Sequence, residues 1–187
     1  MKNTPLYNIH KKLGAKIINF SGWQMPLQYS SIIEEHKNVR AFCGLFDVSH
    51  MGEIIIKGDN AFEFVQKMIT NNASRLKKGQ ALYSPICYPD GGVVDDILVY
   101  RRGEEEFLFV VNASNIKKDM EWFCDNIIEN VYIENMSEQF SLLALQGPKS
   151  NKIINQIINF NIDMLNPFCF KDIDIDDFKV TISHTGY

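Results

Sequence analysis

Apolar residues recur at the three- and four-residue spacing of an α-helix in four segments of the chain. This spacing places them on one side of each helix, and that side is expected to cover a hydrophobic core. The pattern is clearest in the second segment, where the predicted buried side chains are Ala61, Phe64, Val65, Met68 and Ile69. The four predicted helices cover residues 30–44, 60–72, 114–128 and 149–160.

Capping residues support the first two of these helices. Ser31 and Glu34 have the spacing of a capping box, in which each side chain accepts a hydrogen bond from the backbone N–H of the other residue. Asn60 and Glu63 repeat that spacing at the start of the second helix. Gly44 is expected to end the first helix, because glycine readily takes the left-handed conformation that follows a helix.

Between the second and third helices the apolar period changes to two, which is typical of β-strands. Three apolar runs are separated by the turn sequences PDGG and RGEEE, and short turns join antiparallel neighbours. The sequence therefore predicts an antiparallel three-stranded meander with strands in residues 81–88, 91–101 and 107–114.

Two adjacent carboxylates, Asp95 and Asp96, interrupt the second of these strands. Alternation places them on different faces, each among apolar neighbours, where an unpartnered carboxylate is costly. One interpretation is structural, with an aspartate capping a turn or pairing with Arg101 or Arg102. The other is functional, with one aspartate pointing into a ligand pocket of low dielectric. The pattern does not choose between them, since it groups Asp96 with Val94, Leu98 and Tyr100, and Asp95 with Val93, Ile97 and Val99.

Length, composition and charge limit the class of protein. With 187 residues, 45% of them apolar, the chain can form one large domain or two small ones. A net charge of -4 with dispersed lysines and arginines gives no basic surface for nucleic acid. No apolar run approaches the length that spans a membrane, and the N-terminus lacks the apolar region of a signal peptide. We therefore expect a cytoplasmic protein that binds neither nucleic acid nor membrane.

Residues that commonly bind metals are dispersed along the sequence. The four cysteines never form a CxxC pair, so free thiols are expected and a zinc site is not. The segment DVSHMGE, residues 47–53, contains Asp, Ser and His, but residues this close in sequence rarely form a nucleophilic triad. No nucleotide-binding glycine motif is found. No metal cofactor is therefore expected.

Several long motifs follow one another in a fixed order. They are TPLY, LGAKIINFSGWQMPLQYSSIIEEH, VRAFCGLFDVSHMGEIIIKG, YSPICYPDGGVVDDILVYR, VVNASNIKKD, LLALQGP and a terminal HTGY. Together they resemble the aminomethyltransferase, or T protein, of the glycine cleavage system, from residue 4 to the last residue. The resemblance implies an α+β fold with antiparallel β-sheets and packed helices. It also implies a reaction in which the aminomethyl group on the lipoyl arm of the H protein releases ammonia and passes its methylene carbon to tetrahydrofolate.

The resemblance also assigns individual residues. The second aspartate of GGVVDD, Asp96, corresponds to the family's key carboxylate beside the reacting edge of the folate, and it is the expected catalytic residue. Asp95 would then face the other way as a structural residue. The family usually has arginine where this sequence has His184, so the charge contact made there by the family is not expected at neutral pH. The other residues expected to bind tetrahydrofolate are Met51, Tyr83, Tyr100, Val111, Asn112 and Tyr187.

The resemblance further implies that family members continue well beyond the terminal TGY motif. We therefore expect an N-terminal fragment or a truncated gene product, which would bind folate weakly by itself. The folate-binding unit is expected to comprise residues 1–51 and 137–187, with an inserted α+β unit at residues 52–136. Two alternatives stay open: a non-catalytic module that only binds folate or the H protein, and a folate-binding factor of iron–sulfur assembly, which shares the fold.

Overall fold

The computed structural model describes residues 1–185, and that part of the chain contains five short α-helices. The longest of them have ten residues, and no described helix is long and apolar enough to cross a lipid bilayer. The helices are α1 Tyr7–Lys12, α2 Ile32–Ala41, α3 Ala61–Met68, α4 Ile116–Asp125 and α5 Ser150–Ile154.

The β-strands of the same range form four sheets. The strands are β1 Lys2–Asn3, β2 Lys16–Phe20, β3 Trp23–Gln28, β4 Gly44–Asp47, β5 Gly52–Lys57, β6 Ala81–Cys87, β7 Val93–Arg101, β8 Glu106–Val111, β9 Tyr132–Asn135, β10 Leu143–Gln146, β11 Phe170–Ile175 and β12 Phe178–Ser183. The largest sheet has five antiparallel strands in the order β6-β7-β8-β5-β9, and the smaller sheets are β1-β3-β2, β4-β10 and β11-β12.

The predicted α+β fold with antiparallel sheets is confirmed. Strands β6, β7 and β8 pair as the predicted meander, and β5 and β9 extend the sheet beyond β8. One face of this sheet packs against α3 and α4, and all five residues predicted for the buried side of α3 are buried. Phe123 of α4 contacts Phe64 and Phe109 edge to face, with ring centroids 6.3 and 5.5 Å apart. These rings lie in the first hydrophobic core.

A second core lies on the other face of the sheet, where the β11-β12 hairpin covers part of it. Tyr100 of β7 and Phe170 of β11 pack edge to face with ring centroids 5.3 Å apart, next to Leu108 and Val110 of β8. Side chains alternate between the two faces along a strand, so Asp96 projects from this second face, and it is exposed.

Val94 departs from the alternation that the sequence predicted. The pattern grouped it with Asp96, but its side chain belongs to the first core. The register between β6 and β7 shifts here, because Ile86 pairs with Asp95 while Cys87 pairs with Val93. Val94 is therefore the extra residue of a β-bulge, which turns its side chain to the opposite face.

The predictions for helix ends were right in part. Helix α2 ends at Ala41, and Gly44 begins β4 instead of ending the helix. A Cβ atom on Gly44 would lie 2.5 Å from Val39 Cγ2, so glycine is needed there for a close approach. The fourth predicted helix is also shorter than expected, because α5 ends at Ile154.

The two predicted capping residues behave differently. Ser31 caps α2, since its side chain accepts a hydrogen bond from Glu34 N at 3.2 Å. Asn60 precedes α3 but makes no capping bond, and its Nδ2 donates to the carbonyl of Glu129 at 2.9 Å. A tertiary hydrogen bond has therefore replaced the local one.

The segments before and after the large sheet pair with each other. Strand β4 pairs antiparallel with β10, which joins residues 44–47 to residues 143–146. At the end of β4, Asp47 Oδ2 lies 2.8 Å from Nε2 of the buried His10, whose Nδ1 lies 2.7 Å from the Tyr29 hydroxyl. The division of the chain at residues 51 and 136 stays a prediction.

Candidate functional site

Asp96 presents an exposed carboxylate near the start of β7. On one side Asp96 pairs with Pro85 of β6, the edge strand of the sheet. On the other side the neighbouring strand β8 ends at Val111, before it reaches the position opposite Asp96. The Tyr83 hydroxyl donates to Asp96 Oδ2 at 3.1 Å, and Asn112 Nδ2 donates to the Asp96 carbonyl oxygen at 3.1 Å and to Oδ1 at 3.3 Å. Neutral donors therefore hold the carboxylate in place while leaving it open to a ligand.

Tyr83 adds an aromatic surface beside this carboxylate. The residue is 50% exposed, and its hydroxyl donates a hydrogen bond to Asp96. The hydrogen bond to Asp96 raises the pKa of Tyr83, because that bond exists only while the phenol keeps its proton. Tyr83 thus acts as a hydrogen-bond donor with a free ring face.

Asp95 lies on the opposite face and is only 3% exposed. Its Oδ2 accepts from Asn112 N at 3.1 Å, and its Oδ1 accepts from Asn112 Nδ2 at 2.9 Å and Asn115 Nδ2 at 2.6 Å. Burial acts to raise the pKa of Asp95, but hydrogen bonds from Asn112, Asp119 and Asn115 outweigh it and hold that pKa below its ordinary value. Asp95 is therefore a buried, charged structural residue.

The two arginines at the end of β7 bind other carboxylates. Arg101 hydrogen-bonds to Glu104, and Arg102 lies 2.8 Å from Asp172 on β11. The suggestion that one of them pairs with an aspartate of β7 is therefore wrong. Asparagine side chains supply the donors instead.

Two buried carboxyl groups were not identified from the sequence. Asp119 is fully buried in α4, where burial, the hydrogen bond to Asp95 and the Asp95 charge raise its pKa to about 8. Glu53 is buried in β5, and burial raises its pKa to about 7. Asp119 follows Ile116 by three residues and precedes Phe123 by four, so its place on the apolar helix face was readable from the spacing.

The other residues assigned by the resemblance differ in accessibility. Met51 is half-buried at the edge of the second core, and Tyr100 is 7% exposed within it. Val111 is fully buried in the first core, so its side chain points away from the face that carries Asp96. Alternation along β8 turns this side chain toward α4, and the contact of Val111 with a ligand stays a prediction. Tyr187 lies outside the described residues.

His184, at the position where the resemblance leads us to expect arginine, contacts neighbouring backbone groups. Its Nδ1 lies 2.7 Å from the Leu165 carbonyl oxygen, and its backbone N–H donates to the Cys169 carbonyl at 2.9 Å. Both contacts are with backbone oxygens. The ring therefore helps to fix the loop before β11.

The DVSHMGE segment does not form a triad. Asp47 binds His10, the Ser49 hydroxyl bonds the backbone of Leu142, and His50 packs edge to face against Phe20. Within residues 1–185, no group of three or more His, Cys, Asp or Glu side chains is placed to hold a metal ion.

Comparison with known proteins gives the family. The model of the GCVT N-terminal domain matches residues 6–187, which is nearly the whole chain. The chain belongs to the aminomethyltransferase family of the glycine cleavage system. It is 54% identical over 187 residues to the aminomethyltransferase of Halothermothrix orenii and 47% identical over 188 residues to that of Bacillus subtilis. Each match covers 100% of this chain and 52% of the relative.

A solved structure of the same family has the same fold. The crystal structure of the glycine cleavage system aminomethyltransferase T from Bartonella henselae superposes with a TM-score of 0.85 at 34% sequence identity. The match covers 90% of this chain and 46% of that one. The chain thus spans about half the length of the family members that it matches, and it corresponds to their N-terminal half.

Proposed function

We propose that this chain takes part in aminomethyl transfer within the glycine cleavage system. The aminomethyl group on the lipoyl arm of the H protein releases ammonia, and its methylene carbon passes to tetrahydrofolate. The observation that carries this proposal is the exposed carboxylate of Asp96, fixed by Tyr83 and Asn112 at an open face of the sheet. The family to which the chain belongs supports the reaction class.

In this proposal Asp96 is the catalytic residue. Two C–N bonds form between the methylene carbon and two folate nitrogens, while the bonds from that carbon to the ammonia nitrogen and to the lipoyl sulfur break through iminium-like cations. Each folate nitrogen loses one proton, and these two protons go to the leaving ammonia and to the lipoyl thiolate. A fixed carboxylate accepts a hydrogen bond from the attacking N–H and stabilises the positive charge. Because Tyr83 and Asn112 already hold the carboxylate, little reorganisation is needed when the charge develops.

The neighbours of Asp96 are proposed to bind the tetrahydrofolate ring system. Tyr83 offers an exposed aromatic face, and Met51 offers a half-buried thioether. Both hydrogens of Asn112 Nδ2 are directed at aspartate oxygens, so its Oδ1 is the atom left to accept a bond from a ligand. Roles for Tyr100 and Tyr187 stay predictions.

The proposed partner is the lipoylated H protein, and the proposed compartment is the cytoplasm. All four cysteines are free thiols in the described part of the chain, which suits a reducing compartment. No metal has a step in the proposed reaction, because the carboxylate provides both the acceptor and the charge.

A single-turnover assay tests this function. Aminomethyl-loaded H protein and tetrahydrofolate are mixed with the chain, and ammonia and 5,10-methylenetetrahydrofolate are measured. We expect Asp96→Asn to slow transfer by about 100-fold or more, the usual effect of losing a positioned acid or base. The control is Asp125→Asn, an exposed position at the far end of α4, which is expected to transfer at the wild-type rate. Transfer by Asp96→Asn at the wild-type rate would contradict the proposal.

A second candidate function is binding without catalysis. It requires only the exposed Asp96 carboxylate with its Tyr83 and Asn112 partners, and no further catalytic group. In the same assay this candidate predicts that tetrahydrofolate or the H protein binds while no ammonia is released. Release of ammonia that depends on tetrahydrofolate would exclude it.

A further inference from the structure

The buried side of α4 carries a carboxyl group among apolar residues. Asp119 has no exposed surface, and it lies on the same helix face as Ile116, Met120 and Phe123. Neither of its oxygens accepts a hydrogen bond from an N–H or hydroxyl donor within residues 1–185. A buried carboxylate without donors is strongly disfavoured, so Asp119 must be satisfied in another way.

Asp95 provides the partner that Asp119 needs. Asp119 follows Asn115 by one helical turn, and Asn115 Nδ2 donates to Asp95 Oδ1 at 2.6 Å, so the two carboxyl groups lie beside each other under α4. At this position a proton on one carboxyl group can be donated to the other. Two ionised carboxylates have no hydrogen to share, so the pair must hold one proton. Asp95 already accepts three hydrogen bonds from N–H groups of Asn112 and Asn115, and these favour its charged form. The proton therefore belongs to Asp119, whose carboxylic O–H donates to Asp95.

Asn112 connects this buried pair to the exposed site. Its Nδ2 donates to Asp95 Oδ1 at 2.9 Å, and on the other side it donates to the Asp96 carbonyl oxygen at 3.1 Å and Oδ1 at 3.3 Å. Acceptors in both directions fix the orientation of the amide. The placement of the Asp96 carboxylate thus depends on how firmly Asp95 holds Asn112.

We propose that Asp119 is a positioning residue, which holds a proton against Asp95 and thereby keeps Asn112 and Asp96 oriented for tetrahydrofolate. This inference rests on the proposed function, since it takes Asp96 as the carboxylate that meets the folate. Asp119 does not touch the ligand and acts through its hydrogen-bonded neighbours.

The pair has a defined response to pH. Burial, together with the hydrogen bond and charge of Asp95, raises the pKa of Asp119 to about 8. Below that pH Asp119 stays protonated and donates to Asp95. Above it both carboxylates are charged and repel each other, so Asp95 no longer holds Asn112 in one place.

The other charged groups near the Asp95–Asp119 pair have other partners or face solvent. Lys118 lowers the pKa of Asp119 against the larger effects of burial, and its ammonium donates to the Val94 carbonyl. Asp96, the next residue in β7, is exposed. On the neighbouring β9, Glu134 lies 3.6 Å from Lys57 at the surface.

Carbon-detected NMR of the side-chain carboxyl and amide carbons tests the inference without any ligand. In the wild-type chain one aspartate is expected to titrate with a midpoint near pH 8, and the carbons of Asn112 and Asp96 should shift with the same midpoint. Asp119→Asn keeps a donor toward Asp95 but has no proton to lose, so both the titration and the coupled shifts should disappear. Asp125→Asn, at the exposed end of α4, should match the wild type.

Tetrahydrofolate affinity then tests the positioning role. Wild-type affinity is expected to fall several-fold between pH 7 and pH 9, whereas the affinity of Asp119→Asn should equal that of the wild type at pH 7 and not fall. Asp119→Leu removes the donor and should lose about tenfold at pH 7, with its melting temperature recorded to confirm that it folds. Coupled shifts that are absent from the wild type, or that persist in Asp119→Asn, overturn the inference. A wild-type chain that shows the coupled shifts but binds no tetrahydrofolate counts against the proposed function and supports the proton-sharing pair.

Discussion

Glu53→Gln is the substitution whose effect on stability follows most directly from the structure. Glu53 lies in the middle of the sheet on β5 and is 2% exposed, and neither of its carboxyl oxygens has a hydrogen-bond partner among residues 1–185. Burial raises its pKa from 4.5 to about 7. Glutamine has nearly the same shape and carries no charge at any pH.

The sign of the effect follows from where the proton is bound. The folded state holds the Glu53 proton more tightly than the unfolded chain, so the stability it contributes is fully present below pH 4.5 and lost as pH rises to about 7. Each pH unit between these values lowers the free energy of unfolding by about 1.4 kcal/mol, which amounts to about 3 kcal/mol in total. Glu53→Gln should therefore match the wild type within about 1 kcal/mol at pH 5 and exceed it by about 2 to 3 kcal/mol at pH 8.

Urea unfolding at pH 5, 6, 7 and 8, followed by the fluorescence of Trp23 and Trp122, measures this difference. Asp119 titrates in both chains, so subtracting one curve from the other isolates Glu53. The control is Glu134→Gln on the neighbouring β9, a half-exposed carboxylate 3.6 Å from Lys57, which should change stability by less than about 1 kcal/mol at every pH. Wild-type and Glu53→Gln stabilities that run parallel from pH 5 to pH 8 would refute the reasoning.

Three further predictions concern packing and hydrogen bonds, each measured by urea unfolding. Gly147 has a φ of +123°, and a Cβ atom there would lie 2.6 Å from two backbone oxygens at the end of α2. A Cβ atom on Gly91 would meet nothing within 4 Å. Gly147→Ala should therefore lower the free energy of unfolding by about 2 kcal/mol more than Gly91→Ala does. Equal costs would contradict this. Phe123→Ala should cost about 3 to 5 kcal/mol, because it empties the centre of the first core; a loss under about 1 kcal/mol would count against that core. Asp47→Asn should cost about 2 kcal/mol at pH 7, because it weakens the buried bond to His10. Burial acts to raise the pKa of Asp47, but hydrogen bonds from His10 and Ser49 hold that pKa below 3.8. The cost of Asp47→Asn should therefore shrink only as pH falls below 3.8, and a cost that stays constant at lower pH would contradict this prediction.

The meander was predictable from the sequence because its signals are local. Alternation and the PDGG turn fix strand positions and pairing, and the structure has them as expected. Val94 was misplaced because a β-bulge depends on how two strands align, which one strand's pattern does not contain. Asn60 was misread for a similar reason, since its side chain bonds the distant Glu129.

The site was predictable only in part. Alternation separated Asp95 from Asp96, but choosing between them required knowing which face of the sheet the helices cover. The resemblance to the family supplied Asp96, and the exposed position of that carboxylate is in line with it. Asp119 was predictable as a buried charged residue, because its spacing from Ile116 and Phe123 places it on the apolar face of α4. Val111 stays a predicted ligand contact, and the direction of its side chain was not predictable because the resemblance names a residue without saying which way its side chain points.

Calorimetric titration of tetrahydrofolate into the 187-residue chain measures whether the Asp96 carboxylate forms a folate site, with Asp96→Asn and Asp125→Asn titrated alongside. Asp96 is exposed, so its replacement by asparagine should change the free energy of unfolding by less than about 0.5 kcal/mol and leave the fold intact. We predict saturable binding by the wild type and by Asp125→Asn, and an affinity about tenfold weaker for Asp96→Asn, which loses a charged acceptor. Binding of tetrahydrofolate with the same affinity by Asp96→Asn, or no binding by the wild type, would contradict the claim that this carboxylate forms a folate site.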